Sequence, residues 1–262
     1  MTDIVVSASW LADRLDEVRV VDVRDAWEFD GIGHVPGAVS VPFETFRAEE
    51  GEEGGTLPGV DAWERLMSEA GVDPDDTIVA YDDTHGVFAA RFLVTAELLG
   101  HDPEKLHLLD GDFSAWQRER AVDSDAPERE PTDYTVDPPA ETPLVGIEAV
   151  ADAIDTDATI VDTREDWEFA EGHIPGAVQF DWREVIDDET RGLLPEDELG
   201  ALLTAHDIRP DRRVVLYCNT ARRISHTYVV LRHLGYEDVA FYEGSLTEWN
   251  AAGRELRTGP EP

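Results

Sequence analysis

Cysteine is almost absent: Cys218 is the only thiol in 262 residues. One thiol cannot close an internal disulfide, which fits a reducing cytoplasm. Lysine is equally scarce. Of 21 basic residues only Lys105 is lysine, and the rest are arginine. No run of about 18 apolar residues occurs, so no membrane span is expected. The N-terminal stretch MTDIVVSASWLADRLDEVRV carries acids instead of a basic start and lacks a long apolar segment, so no signal peptide is expected either. The eight histidines show no ligand spacing. With a single cysteine, a zinc site is not expected.

Acids, by contrast, abound. Fifty-nine Asp and Glu give a formal net charge of -38. Such a chain repels nucleic acid, whose binding needs cations to displace counterions, and anionic membrane surfaces for the same reason. The acids are spread along the whole chain, not gathered in a tail. A dispersed acidic surface of this kind suits concentrated salt, where screening relieves self-repulsion. A salt-loving host is therefore expected.

The chain repeats itself. VVDVRDAWEFDGIGHVPGAV (20–39) and IVDTREDWEFAEGHIPGAV (160–178) align, pairing Asp22 with Asp162, Arg24 with Arg164, Glu28 with Glu168 and His34 with His173. Leu57-Pro58 matches Leu194-Pro195, TIVAYD (77–82) matches RVVLYC (213–218), and LDGDFSAW (109–116) matches FYEGSLTEW (241–249). Each copy runs about 120 residues. The Val- and Ile-rich runs read as buried strands, and 60–71 and 195–208 place apolar residues at helical spacing. Strands alternating with helices imply α/β domains, each a mainly parallel sheet flanked by helices. The expected organisation is a first domain over 1–120, an exposed Pro- and acid-rich linker over 121–142, and a second domain over 143–262.

The lone thiol ends one of these strands. RRVVLYC reads as a strand closing on Cys218, and RISHTYVVLRHLG as a helix stopped by Gly235. Between them lie the five residues NTARR. Cys218 thus sits at the carboxyl end of a parallel strand before a helix N-terminus, where open α/β sheets bind ligands. Converging loop amides, the helix N-terminus and Arg222 and Arg223 all favour S⁻ over SH, as at other reactive cysteines. The same loop suits an anionic substrate.

These residues carry a resemblance. The doubled D-x-R-x-x-x-E-F-x-x-G-H-[IV]-P-G-A pattern (Asp162 to Ala177 in the second copy), the Cys-x4-Arg loop (Cys218 to Arg223) and E-G-S-x-x-x-W (Glu243 to Trp249) resemble the rhodanese family over essentially the whole chain. The layout is similar to tandem-domain thiosulfate and 3-mercaptopyruvate sulfurtransferases. The resemblance implies that only the second domain is catalytic, with Asp82 in the first at the place of the nucleophile. It implies that Cys218 takes the outer sulfur of thiosulfate as a persulfide and passes it to a thiophilic acceptor such as cyanide, without metal or cofactor. Arg223 is expected to carry substrate charge and Arg222 to face either substrate or solvent. Asn219, Thr220 and Ala221 are expected to offer mainly backbone N–H groups, and Thr220 a hydroxyl as well. A monomer is expected.

The loop departs from both subgroups. C-N-T-A-R-R is neither C-R-K-G-V-T, as in vertebrate-type thiosulfate enzymes, nor C-G-S-G-V-T, as in mercaptopyruvate enzymes. Glu168 stands where mercaptopyruvate enzymes tend to carry an arginine that grips the substrate carboxylate. Thiosulfate is therefore the preferred donor, with 3-mercaptopyruvate as the alternative. A cysteine-based phosphatase would have a loop one residue longer, and a sulfur-carrier module would load without turnover. His34 and His173 occur in both copies and read as scaffold, Asp162 and Arg164 as a structural ion pair, and Trp116 and Trp249 as core. His226 is expected on the helix surface.

Overall fold

In the computed structural model, residues 3–47, 57–125, 127 and 129–259 are described. They form two compact units, Met1–Thr142 with Asp187–Leu193, and Pro143–Ile186 with Leu194–Pro262. The first contains β1 (Val5–Val6), α1 (Ala8–Ala12), β2 (Arg19–Asp22), α2 (Ala26–Gly31), β3 (Val39–Ser40), α3 (Val60–Glu69), β4 (Ile78–Tyr81), α4 (Val87–Leu99), β5 (Leu106–Leu109) and α5 (Phe113–Glu119). The second contains α6 (Ile147–Ala153), β6 (Thr159–Asp162), α7 (Asp166–Glu171), β7 (Val178–Gln179), α8 (Glu196–Ala205), β8 (Val214–Tyr217), α9 (Arg222–His233), β9 (Val239–Phe241) and α10 (Ser245–Ala251).

Both sheets are parallel throughout. The strand order is β1-β5-β4-β2-β3 in the first and β7-β6-β8-β9 in the second. Leu144 bridges Phe241 where the first sheet has its β1–β5 pair. The central strands are buried along their whole length, as their unbroken Val, Ile and Leu runs require when helices cover both faces. Trp116 and Trp249 are each 2% exposed and belong to the two cores.

The repeated motif folds into the same buried network twice. Arg24 donates to the Asp22 carboxylate and the Gly33 carbonyl, and Arg164 donates to Asp162 and the Gly172 carbonyl. The hydroxyls of Tyr81 and Tyr217 bond Asp22 and Asp162 and accept from the Val35 and Ile174 N–H groups. Burial and the adjacent carboxylate push Tyr217 well above the ordinary phenol range. The His34 and His173 rings stack on Phe29 and Phe169 at 3.7 Å between centroids, with Nδ1 at the carbonyl of the same phenylalanine. These are scaffold positions, as their duplication implies.

Two expectations need correction. Tyr134, inside the segment read as an exposed linker, is 2% exposed. Its N–H donates to Ser68 Oγ on α3, and its hydroxyl meets His101 Nδ1. One aromatic with nearby polar partners is enough to bind an otherwise polar strap to the unit. Residues 187–193, expected with the second domain, cluster with the first unit, where the Arg191 guanidinium pairs with Asp112 through two nitrogens.

Candidate functional site

β8 delivers Cys218 to the carboxyl edge of the second sheet, between two strong partners. Its N–H donates to Ser245 Oγ at 3.2 Å, and its carbonyl accepts from the Leu246 N–H at 3.0 Å. Ser245 Oγ also donates to the Tyr242 carbonyl at 2.8 Å. The residue itself is 2% exposed. Ala221, fully buried with φ of 64°, makes the turn into α9. A non-glycine residue in the left-handed region costs about 1–2 kcal/mol. That strain reverses the chain within three residues, so that α9 starts next to the cysteine.

The first turn of α9 supplies donors. The Arg222 N–H goes to the Thr220 carbonyl and that of Ser225 to the Ala221 carbonyl. The Arg223 and Ile224 amides belong to the initial helical N–H groups, which have no intrahelical acceptor. The first unit shows what such amides do. Asp82, at the place of Cys218, accepts N–H bonds from Thr84 (2.7 Å) and Gly86 (2.8 Å) on one oxygen and from Phe88 (2.7 Å) and Ala89 (3.0 Å) on the other. Counting back from Gly100 and Gly235 aligns Phe88 and Ala89 with Arg223 and Ile224, and Thr84 aligns with Thr220. Burial pushes the Asp82 carboxyl up, with the four amides pulling against it. The first loop is one residue longer between Asp82 and Gly86, and Gly86, at φ of 83°, makes the same left-handed turn into its helix as Ala221.

The predicted loop residues fall into three groups. Asn219 and Arg223 converge on Glu168. Asn219 Nδ2 donates to one Glu168 oxygen at 2.9 Å, and Arg223 Nη1 donates to the other at 2.5 Å. Beside the backbone N–H expected of it, Asn219 thus engages its side chain within the loop. Its Oδ1 also accepts from Arg164 Nη1 at 3.4 Å, and its carbonyl accepts from Thr247 Oγ1. Thr220 is exposed, Ala221 is the turn, and Arg222 and Arg223 are half-buried.

Glu168 is the residue that sequence reasoning placed only by analogy. It is 8% exposed and faces the loop. Burial pushes its carboxyl up, but the Arg223 hydrogen bond, the Glu165 amide, the Arg223 charge and Asn219 outweigh this and hold it below the ordinary range. Ser245 was also missed, although the repeat held a clue. It aligns with Asp112, whose carboxylate likewise holds its loop by accepting from the His85 N–H. His226 lies opposite to expectation: it is fully buried, with its ring 5.2 Å from Trp182 in an edge-on contact. Its position turns inward on α9, where Arg91 is buried at the matching place on α4. Among the described residues no cluster of three His, Cys, Asp or Glu could hold a metal ion, and no helix is long and apolar enough to cross a membrane.

Two α/β units with parallel sheets, one of which ends its central strand on a cysteine before a left-handed turn and a helix N-terminus, define a class of two-domain, single-cysteine α/β protein. The family model for the rhodanese-like domain matches residues 7–119 and 147–252, and the chain belongs to the rhodanese family. A thiosulfate sulfurtransferase of Pseudomonas aeruginosa is 33% identical over 260 residues, covering 94% of this chain and 93% of the relative. A relative from Haloferax volcanii is 31% identical, with 98% and 97% covered. Among solved structures, the 3-mercaptopyruvate sulfotransferase SseA from Escherichia coli superposes with a TM-score of 0.83 at 26% identity, covering 93% of this chain and 99% of that one.

Proposed function

We propose that the protein is a thiosulfate sulfurtransferase that works through a persulfide on Cys218, with 143–262 as the catalytic domain and 1–120 as a non-catalytic copy. One observation carries the reading. At the position where the first loop gathers four amides around the Asp82 carboxylate, the second copy places a cysteine, ahead of a matching left-handed turn and helix start. A site that holds an anion in one copy and a nucleophile in the other suits a sulfur-centred anion.

The nucleophile is the thiolate. It attacks the outer sulfur of thiosulfate. A bond forms between Sγ and that sulfur, the sulfur–sulfur bond of thiosulfate breaks, and its electron pair leaves with sulfite. Cys218 then carries a persulfide anion facing the Thr220, Arg223 and Ile224 amides. A thiophilic acceptor attacks the terminal sulfur and returns the electron pair to Sγ. With cyanide the product is thiocyanate. Arg223 offsets charge on the departing sulfite, and Arg222 adds positive charge at the mouth. No second thiol exists to discharge the persulfide as a disulfide.

Relatives named thiosulfate sulfurtransferase support thiosulfate as the donor, and the likeness to SseA keeps 3-mercaptopyruvate as the alternative. The acidic composition and the Haloferax volcanii relative support a halophilic protein, the single cysteine supports a cytoplasmic one, and two repeats in one chain support a working monomer. Steady-state kinetics with both donors, in low and molar salt, test the reading. Thiosulfate should give the larger kcat/KM, and a larger value for 3-mercaptopyruvate would overturn the assignment.

A further inference from the structure

The two repeats share their scaffold but differ around one carboxylate. Glu28 and Glu168 both accept the backbone N–H three residues earlier, as helix-capping residues. Glu168 additionally holds Asn219 and Arg223. Glu28 has no such option, because Asp83 and Phe88 occupy the matching places and neither side chain carries an N–H group. The consequence reaches the core. Arg164 Nη1 meets Asn219 Oδ1, whereas Arg24 Nη1 is buried without a hydrogen-bond partner. The fold therefore does not need the Glu168 bridge, which is built only in the copy with the cysteine.

We propose that Glu168 is a specificity-determining positioning residue: its carboxylate holds the Asn219 and Arg223 side chains of the loop and takes up guanidinium charge that an anionic donor would otherwise use. This rests on the sulfurtransferase reading above. A donor must share Arg223 with Glu168, and it meets a fixed negative charge close by. Coulomb energy scales with the product of charges, so a dianion is penalised about twice as much as a monoanion. The same charge speeds release of sulfite and keeps product inhibition weak.

The test compares thiosulfate with methanethiosulfonate, a monoanion carrying the same kind of transferable sulfur. Glu168→Gln keeps an oxygen for Asn219 and removes the charge. KM for thiosulfate should fall about tenfold and that for methanethiosulfonate about threefold, with tighter inhibition by sulfite and no gain in kcat. Glu168→Asp keeps the charge but stops short of Arg223, so its thiosulfate KM should stay at or above that of the parent chain. It carries the test alone if the Gln variant fails to fold, as judged by circular dichroism. Equal changes for both donors, or a fall in KM for both variants, would reduce Glu168 to a loop brace and overturn the proposal. The parent chain is first treated with thiosulfate and weighed. Without one added sulfur, the sulfurtransferase reading fails, and this inference with it. With the sulfur present, the kinetics judge Glu168 separately.

Discussion

Replacing Asp82 should damage stability far more than replacing Cys218, although the two occupy matching positions. The Asp82 carboxylate is 1% exposed and accepts four backbone N–H bonds. Asp82→Ala leaves four donors around a void. Each buried unsatisfied donor costs about 1–3 kcal/mol, some of which entering water recovers. Removing one partner of a buried charged arrangement costs about 3–5 kcal/mol, and that is the expected loss. Asp82→Asn should be no better, because its amide group turns donors toward donors. Cys218→Ser changes one atom and should cost only about 1 kcal/mol. Urea unfolding in molar salt, followed by tyrosine and tryptophan fluorescence, reads the difference. With a slope of about 2 kcal/mol per molar, the transition of the first unit should move down by about 2 M for Asp82→Ala. If that transition stays within about 0.5 kcal/mol of the parent chain, the carboxylate does not hold the loop and the comparison between the two loops loses its basis.

Three further outcomes follow from the same geometry. Arg223→Ala should raise KM for thiosulfate and lower kcat by about 100-fold, since charge at the departing sulfite is lost; unchanged steady-state constants would remove Arg223 from the reaction. The melting temperature should rise from dilute buffer to molar salt, as the screening length drops from about 30 Å to about 3 Å; a flat calorimetric series would refute a repulsion-limited fold. Glu168 is held below its ordinary range, so its ionised form contributes stability that is complete above the unfolded value near 4.5 and is lost as pH falls through the folded value. Acid unfolding of Glu168→Gln should therefore be less steep below about pH 4.5 than that of the parent chain.

Sequence periodicity reveals most of the fold because the repeats are written in local features. Buried parallel strands show as unbroken Val and Ile runs, and duplication separates scaffold from the rest. The ion pairs of Asp22 with Arg24 and Asp162 with Arg164 lie two residues apart and are legible for that reason. The Glu168 bridge spans 55 residues to Arg223, and no spacing rule reaches that far. Asn219 looked like a backbone donor because nothing local announces a partner for its amide group. His226 reads as helix surface in sequence, yet α9 is packed on nearly every side and the ring edge meets Trp182. Tyr134 sat in a polar stretch, where a single aromatic is easily averaged away.

The most direct measurement weighs the intact protein after brief exposure to thiosulfate, then again after cyanide. A mass gain of one sulfur, mapped to Cys218, absent from Cys218→Ser and erased by cyanide with release of thiocyanate, is the expected result. Turnover that survives Cys218→Ser, or a sulfur that never appears on that side chain, would contradict the account.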